Sequence, residues 1–302
     1  MAFFAKECME GIVKLSNVYL QYKEAFDEET LGAIVYQQHD HKFQGPLFHD
    51  FELLLLVVQS SEQSVVKHVM FGEKRCQVLY VSLRLLRRWL ITGEKSDIVK
   101  CLLEGDIVLD TDGCLANLCL EFEEFKQPLR DQEMFLEFSR FLCLYLEAKR
   151  YMNEGHIMDA YHSVIQSLHH WARIELIERG IRPQANVWEQ VRGLKTAVHK
   201  LYEELTVSQE TLKQRVELVL LGCEFSVISK MAECSVLLIK VMGSRKKPWS
   251  IEDLIQHPEL DIMGAELPLV LRKLVYRSII KEVKIGNEVK SHSNQNILYS
   301  II

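Results

Sequence analysis

The chain has 302 residues, of which 48% are hydrophobic and 26% are charged, and its formal net charge at pH 7 is −6. This length accommodates two or three domains of about 100 to 200 residues each, and the composition is ordinary for a folded protein. An acidic chain has no overall basic field. Any contact with nucleic acid must therefore come from a local basic patch.

The cysteines and the apolar segments predict a cytoplasmic protein without a membrane partner. The eight cysteines are scattered through apolar stretches and form no Cys-x-x-Cys pair, which argues against a structural zinc site and a compact disulfide framework. Residues 1–15 carry charged side chains at helical intervals and lack the apolar core of a signal peptide. No apolar run approaches the roughly 20 residues that a membrane span needs.

The first segment, residues 1–115, has a pattern that predicts a mixed α/β domain. Apolar residues at helical spacing indicate a helix over residues 3–25 and another over residues 83–92. The expected strands are residues 32–37, 53–58, 65–71, 75–82 and 105–113, the last of which ends in an Asp-Gly turn.

Two carboxylates, Asp50 and Glu52, stand directly before the apolar run of residues 53–58. Side chains alternate along a strand with a period of two, so both carboxylates are expected on one face, an arrangement that holds Mg²⁺ against a triphosphate. The unbroken apolar run predicts a strand that is buried on both faces and forms a rigid base for such a site. The alternative is a solvated strand end without a function.

Two further segments follow. Residues 116–243 have helical spacing nearly throughout and predict an antiparallel helical bundle, in which the adjacent His169 and His170 face different directions. Residues 248–302 predict a helix capped by Ser250, a second helix, and two strands at residues 279–285 and 288–291. This is the order of a winged helix-turn-helix, although a small α+β packing module has a similar pattern.

With this order of segments, the chain resembles the nucleotidyltransferase-like family of Bacillus and its relatives, in which a degenerate nucleotidyltransferase domain precedes a helical substrate-binding-type domain and a helix-turn-helix. The resemblance is carried by residues 32–36, 48–58, 104–110 and 145–179. It implies an α+β fold class: a nucleotidyltransferase-like mixed sheet with helices, then an all-α helical bundle, then a winged helix-turn-helix. The corresponding domains are residues 1–115, 116–243 and 248–302.

The resemblance also implies the residues of a site. Members of the broader superfamily use a Gly-Ser pair to hold phosphates, and three carboxylates to hold two Mg²⁺ ions. Asp50 and Glu52 match the first two carboxylates as catalytic and metal-binding residues. The nucleotide-binding position of the Gly-Ser pair is taken by Tyr36, Gln37 and Gln38, whose side chains would crowd the phosphates. Gln77 stands where the third carboxylate is expected, and either Asp106 or Asp110 would have to replace it.

Two classes of function follow from the resemblance. As an enzyme, the protein would use Mg²⁺ to transfer a nucleotidyl group from a nucleoside triphosphate to an unknown acceptor. As a catalytically reduced member, it would sense a nucleotide or another ligand and act through its helix-turn-helix on DNA or a protein partner. Arg272, Lys273 and Arg277 lie on the candidate recognition helix and are the expected nucleic-acid contacts.

Overall fold

The structure is a computed structural model that describes residues 22–37, 51–284 and 297–302. It separates into two compact units, Met1–Lys126 and Gln127–Ile302. The first unit extends past residue 115, where the sequence pattern changes, because the helix that begins at Cys114 packs on the sheet. A Cβ atom at Gly32 would lie 2.6 Å from Cδ1 of Leu115, so this helix rests directly on a strand of the first unit.

The first unit is built on a five-stranded sheet of mixed direction, with strand order β3-β4-β2-β1-β5. Strand β2 pairs parallel with β4 and antiparallel with β1, while β3 and β5 form the edges among the described strands. This confirms the mixed sheet expected from the sequence. The strands are β1 (Thr30–Gln37), β2 (Leu53–Gln59), β3 (Val65–Phe71), β4 (Lys74–Ser82) and β5 (Asp106–Asp110).

Strand β2 is the centre of the sheet and is buried on both faces, as its unbroken apolar run predicts. Leu53 is 2% exposed and each of the following residues through Val58 is fully buried. Leu53, Leu55 and Val57 belong to a hydrophobic cluster on one face. The intervening residues face the opposite side, because side chains alternate along a strand. A strand with this environment supplies a rigid base for residues at its ends.

Three helices complete the first unit: α1 (Leu83–Thr92), α2 (Ser96–Glu104) and α3 (Cys114–Glu124). The Ser82 hydroxyl accepts a hydrogen bond of 3.1 Å from the Leu85 amide and caps α1. The chain leaves α2 in close contact with β1, where a Cβ atom at Gly105 would lie 2.6 Å from Cγ2 of Ile34. Only glycine fits this approach, which fixes the end of α2 against the sheet.

The second unit begins with a helical bundle: residues 127–243, all of which the structure describes, form helices joined by short loops and contain no strand. The two longest helices form a hairpin around a core that includes Phe135, Phe138, Tyr145 and Trp171. The helices are α4 (Gln127–Glu154), α5 (Ile157–Glu178), α6 (Val187–Gly193), α7 (Ala197–Val207), α8 (Leu212–Ser226), α9 (Met231–Cys234) and α10 (Val236–Gly243). In the described part of the chain, no helix is both long enough and apolar enough to cross a membrane.

The C-terminal part has the predicted order of helix, helix and hairpin. Ser250 caps the first helix, as predicted, by accepting a hydrogen bond of 3.0 Å from the Asp253 amide. Trp249 pairs with Tyr299 beside the hairpin. The predicted strand 288–291 lies outside the described residues, and the strand that pairs with β6 comes later in the chain. The elements are α11 (Ile251–Ile255), α12 (Leu267–Tyr276), β6 (Ile280–Lys284) and β7 (Ile297–Ile301).

Candidate functional site

The strand register gathers several of the predicted site residues at the end of the sheet where β2 begins. Leu53 is opposite Gln37 on β1 and opposite Cys76 on β4. Glu52 and Arg75 precede this point on their two strands and lie side by side. Asp50 and Gln38 belong to this part of the sequence but lie outside the described residues.

Glu52 is held by Arg75. The Arg75 main-chain N–H donates a hydrogen bond of 2.7 Å to Oε2 of Glu52, and the Glu52 N–H donates one of 3.1 Å to the Arg75 carbonyl oxygen. Arg75 Nε lies 3.8 Å from the same Oε2. The two side chains are 56% and 38% exposed, for Arg75 and Glu52 respectively. One oxygen of the Glu52 carboxylate, Oε2, therefore already accepts a hydrogen bond and lies close to a positive charge.

Tyr36 and Gln37 have different surroundings. Tyr36 is 8% exposed, and its hydroxyl donates a hydrogen bond of 3.4 Å to Oε2 of Glu104 at the end of α2. Gln37 is exposed, and its Oε1 accepts a hydrogen bond of 3.4 Å from Nζ of Lys74. Tyr36 therefore packs on α2, whereas Gln37 lies at the end of the sheet beside Lys74.

The position expected for a third carboxylate is occupied by Gln77. This residue is opposite Leu54 on the neighbouring parallel strand and is 8% exposed. Residues directly opposite each other on neighbouring strands share a face of the sheet, so Gln77 lies on the same face as Leu54. Glu52 is two residues before Leu54 and is therefore expected on this face as well. An amide at this position adds no negative charge with which to hold a divalent metal ion.

Neither of the two aspartates on β5 replaces this carboxylate. Asp110 caps α3 by accepting hydrogen bonds from the Leu115 and Ala116 amides at 3.2 and 3.0 Å. Its partner on β1 is Gly32, which is opposite Val58 and therefore far from the start of β2.

Asp106 is opposite Val35 on β1, and Val35 points into the cluster on the opposite face. Asp106 therefore faces away from Glu52, whereas Asp110 is separated from it by the length of β2.

The described residues do not fit the pair of Mg²⁺ ions that the resemblance implies. They contain no group of three or more His, Cys, Asp and Glu side chains that could hold a metal ion. Of the predicted pair Asp50 and Glu52, the structure describes Glu52, and Arg75 lies beside its carboxylate. A two-metal site requires several carboxylates that are free to coordinate.

A second polar cluster, which the sequence interpretation missed, lies inside the helical bundle. Glu137 on α4 has a side chain that is 1% exposed, and its two oxygens lie 2.6 Å from Nδ1 of His170 and 2.6 Å from Nε of Arg173, both on α5. Burial raises the pKa of Glu137, but the hydrogen bond with His170 and the positive charge of Arg173 outweigh it and hold the pKa at about 2.

Glu133 lies one turn before Glu137 and has the opposite electrostatic environment. Its side chain is 3% exposed, and its contact with Arg182 is an ion pair of 4.0 Å. Burial raises the pKa of Glu133 to about 7, although Arg182 and Arg173 both act to lower it. The i, i+4 spacing of two glutamates around the apolar residues 134–136, followed by the i, i+3 pair His170 and Arg173, is the signal that could have revealed this cluster.

The two adjacent histidines contact different elements, as their spacing predicts. The ring of His169 lies 6.2 Å from the ring of Trp188 on α6, and Trp188 stacks on Tyr202 of α7 with ring centres 4.0 Å apart. His170 instead contacts Glu137. The two rings lie edge to face with centres 5.9 Å apart, but their other contacts are with different elements.

The three predicted nucleic-acid contacts, two on α12 and one directly after it, are not equivalent. Arg272 is exposed, and Nζ of Lys273 lies 5.2 Å from the ring centre of Tyr276. Arg277 instead donates a hydrogen bond of 2.6 Å from Nη2 to Oε1 of Glu224 on α8. The other oxygen of Glu224 accepts a hydrogen bond from the Tyr145 hydroxyl. Arg277 thus ties the end of the candidate recognition helix to the helical bundle.

Comparison with known proteins gives matches along nearly the whole chain. Three family models match in succession: nucleotidyltransferase-like over residues 9–130, YgxA-like substrate binding domain over residues 131–230, and helix-turn-helix domain over residues 237–301. The uncharacterized protein YgxA of Bacillus subtilis (strain 168) is 30% identical over 265 residues, which is 87% of this chain and 90% of that protein.

A solved structure is also similar. The crystal structure of a nucleotidyltransferase-like protein from Exiguobacterium sibiricum 255-15 superposes with a TM-score of 0.83 at 28% sequence identity. The match covers 95% of this chain and 98% of that chain. The succession of a nucleotidyltransferase-like domain, a helical domain and a helix-turn-helix is therefore common to this chain and its relatives.

Proposed function

The chain belongs to the family of YgxA and its nucleotidyltransferase-like relatives, and we propose that it is a catalytically reduced member that binds a nucleotide with its first unit and acts through its C-terminal helix-turn-helix. The proposed target of the helix-turn-helix is DNA, with a protein partner as the alternative. The cytoplasmic location expected from the cysteine pattern is part of this proposal.

The contact between Arg75 and Glu52 is the observation that supports reduced catalysis most directly. A nucleotidyltransferase uses its carboxylates to hold metal ions that activate the acceptor and stabilise the departing pyrophosphate. Here the Arg75 N–H lies 2.7 Å from the Glu52 carboxylate, and Gln77 occupies the neighbouring position. Gln77 removes a negative charge, and Arg75 adds a positive one, at the place where two cations would have to bind.

Nucleotidyl transfer with Mg²⁺ is the second candidate, and one observation favours it. Glu52 directly precedes a strand that is buried on both faces, which is the position the resemblance gives to a catalytic carboxylate. With Asp50 two residues earlier in the sequence, the chain retains the first two acids of the motif.

Nucleotide binding without turnover is the result expected from the reduced member. The full-length protein would be incubated with Mg²⁺, each nucleoside triphosphate and candidate acceptors, and then followed by calorimetric titration and by mass spectrometry of the acceptors. We expect a binding signal and no transferred nucleotidyl group. Transfer that is abolished by Asp50→Ala would instead establish the enzyme.

DNA binding by the full-length protein should depend more on Arg272 than on Arg277, because Arg277 is hydrogen-bonded to Glu224. We expect Arg272→Ala to weaken binding to duplex DNA several-fold and to reduce the slope of log affinity against log salt by about 1. Fluorescence anisotropy across a salt series measures both quantities, with Arg277→Ala as the matched variant. Equal loss in the two variants would contradict the assignment, and no binding at low salt would favour a protein partner.

A further inference from the structure

We propose that the end of the sheet at Glu52 binds nucleotide phosphates directly through Arg75 and Lys74, without a divalent metal ion. This inference rests on the proposed function and specifies how the first unit would recognise its ligand. The residues present do not match the metal site that the family implies. The positive charges that metal ions would supply to a polyphosphate are here supplied by side chains of the protein.

Arg75 lies beside Glu52, the carboxylate that is expected to bind a metal ion in the family. Its main-chain N–H and Nε face the carboxylate, at 2.7 and 3.8 Å from Oε2. Its terminal nitrogens Nη1 and Nη2 have no hydrogen-bond acceptor among the described residues, and the side chain is 56% exposed. The guanidinium group lies beside this carboxylate and presents its remaining donors in a planar fork, which matches the oxygens of a phosphate group.

Lys74 adds a second positive charge at the same end of the sheet. It is exposed, and its contact with Gln37 is a single hydrogen bond of 3.4 Å to Oε1. Consecutive residues point to opposite faces of a strand, so Lys74 and Arg75 flank the end of β4 from two sides. A chain of phosphates that crosses this end of the sheet would therefore meet an ammonium group on one side and a guanidinium group on the other.

Glu52 has different roles in a metal site and in the proposed site. In a metal site its carboxylate binds the cation, and loss of its charge abolishes metal-dependent ligand binding. In the proposed site it accepts a hydrogen bond from the Arg75 main-chain N–H and lies beside the guanidinium, while its negative charge repels the phosphates. Glu52→Gln retains a carbonyl oxygen that can accept the Arg75 N–H, so this substitution separates the two roles.

The test is calorimetric titration of the full-length protein with ATP, GTP and inorganic triphosphate, each with Mg²⁺ and with EDTA. We expect dissociation constants in EDTA within about threefold of those in Mg²⁺, and equal or tighter binding by Glu52→Gln. We expect Arg75→Ala to weaken binding by about tenfold or more, because charge-assisted hydrogen bonds are lost. Lys74→Ala should weaken binding in the same direction.

Lys95→Ala is the matched control, because it removes one positive charge at the opposite end of α2 from Glu104. Lys95 precedes α2, whereas the last residue of that helix, Glu104, contacts Tyr36 near the site. This control should bind as the wild type does. Binding that requires Mg²⁺ and is lost in Glu52→Gln would overturn the direct-cation site but leave nucleotide binding intact. Absence of binding for all three probes in both conditions would overturn the proposed function as well.

Discussion

Replacing Glu137 with alanine should lower the free energy of unfolding of the helical bundle by about 3 to 5 kcal/mol, the usual cost of removing one partner from a buried ion pair. The Glu137 carboxylate is 1% exposed and lies 2.6 Å from both His170 and Arg173. Its removal leaves the Arg173 guanidinium, whose side chain is 15% exposed, without this counter-charge. Hydrogen exchange of peptides from α4 and α5, measured on the full-length protein, reports the loss of stability in the bundle itself.

Glu133→Gln is the matched variant, because it removes a charge from the same buried face with little change of shape. The folded-state pKa of Glu133 is about 7, above the ordinary value of 4.5, so the neutral carboxyl is the form that the fold favours. The contribution of the neutral Glu133 carboxyl to the stability of the folded state is fully present below pH 4.5 and is lost as the pH rises through 7. The wild type should therefore lose stability relative to Glu133→Gln between these values, and the variant should be at least as stable at pH 8.

Glu137 has the opposite dependence on pH. Its folded-state pKa of about 2 lies below 4.5, so its contribution is present above pH 4.5 and is lost as the pH falls towards 2. If Glu133→Gln were destabilised as strongly as Glu137→Ala at pH 8, the conclusion that the two carboxylates have opposite electrostatic environments would be wrong.

Much of the fold could be predicted from local sequence patterns. The unbroken apolar run of β2 predicted a strand that is buried on both faces, and Leu53 to Val58 are all at most 2% exposed. The helical period of the second segment predicted the bundle in the same way. The second strand of the C-terminal hairpin was harder to predict. The strand that pairs with β6 is Ile297–Ile301, and it is determined by this pairing and not by a local pattern.

The candidate site was only partly predictable, because its decisive contacts join residues that are distant in the sequence. The Asp-x-Glu spacing identified Glu52 as a residue at the start of a buried strand. Its neighbour Arg75 is determined by the parallel register of β2 and β4, which no local pattern reveals. The same limit applies to Glu137, whose charge is balanced by Arg173 on the next helix.

Glu224→Gln should increase the affinity of the full-length protein for duplex DNA several-fold, if the helix-turn-helix binds DNA as proposed. Arg277 Nη2 lies 2.6 Å from Oε1 of Glu224. The pKa of the Glu224 carboxyl is lowered by its hydrogen bond with Tyr145 and by the positive charges of Lys149 and Arg277, so it is charged at neutral pH. Loss of this charge weakens the attachment of Arg277 to α8 and leaves the guanidinium available for a phosphate contact.

One added phosphate contact has a distinct signature in the salt dependence. The slope of log affinity against log salt should become steeper by about 0.9 in Glu224→Gln, and the increase should disappear in Glu224→Gln combined with Arg277→Ala. Glu217→Gln is the control, because Glu217 lies on the same helix and pairs with Lys213 at 3.9 Å. An equal gain in the control would show a general effect of net charge. A gain confined to Glu224→Gln would show that the bundle restrains a DNA-contacting residue of α12, which gives the helical domain a direct physical means of controlling the helix-turn-helix.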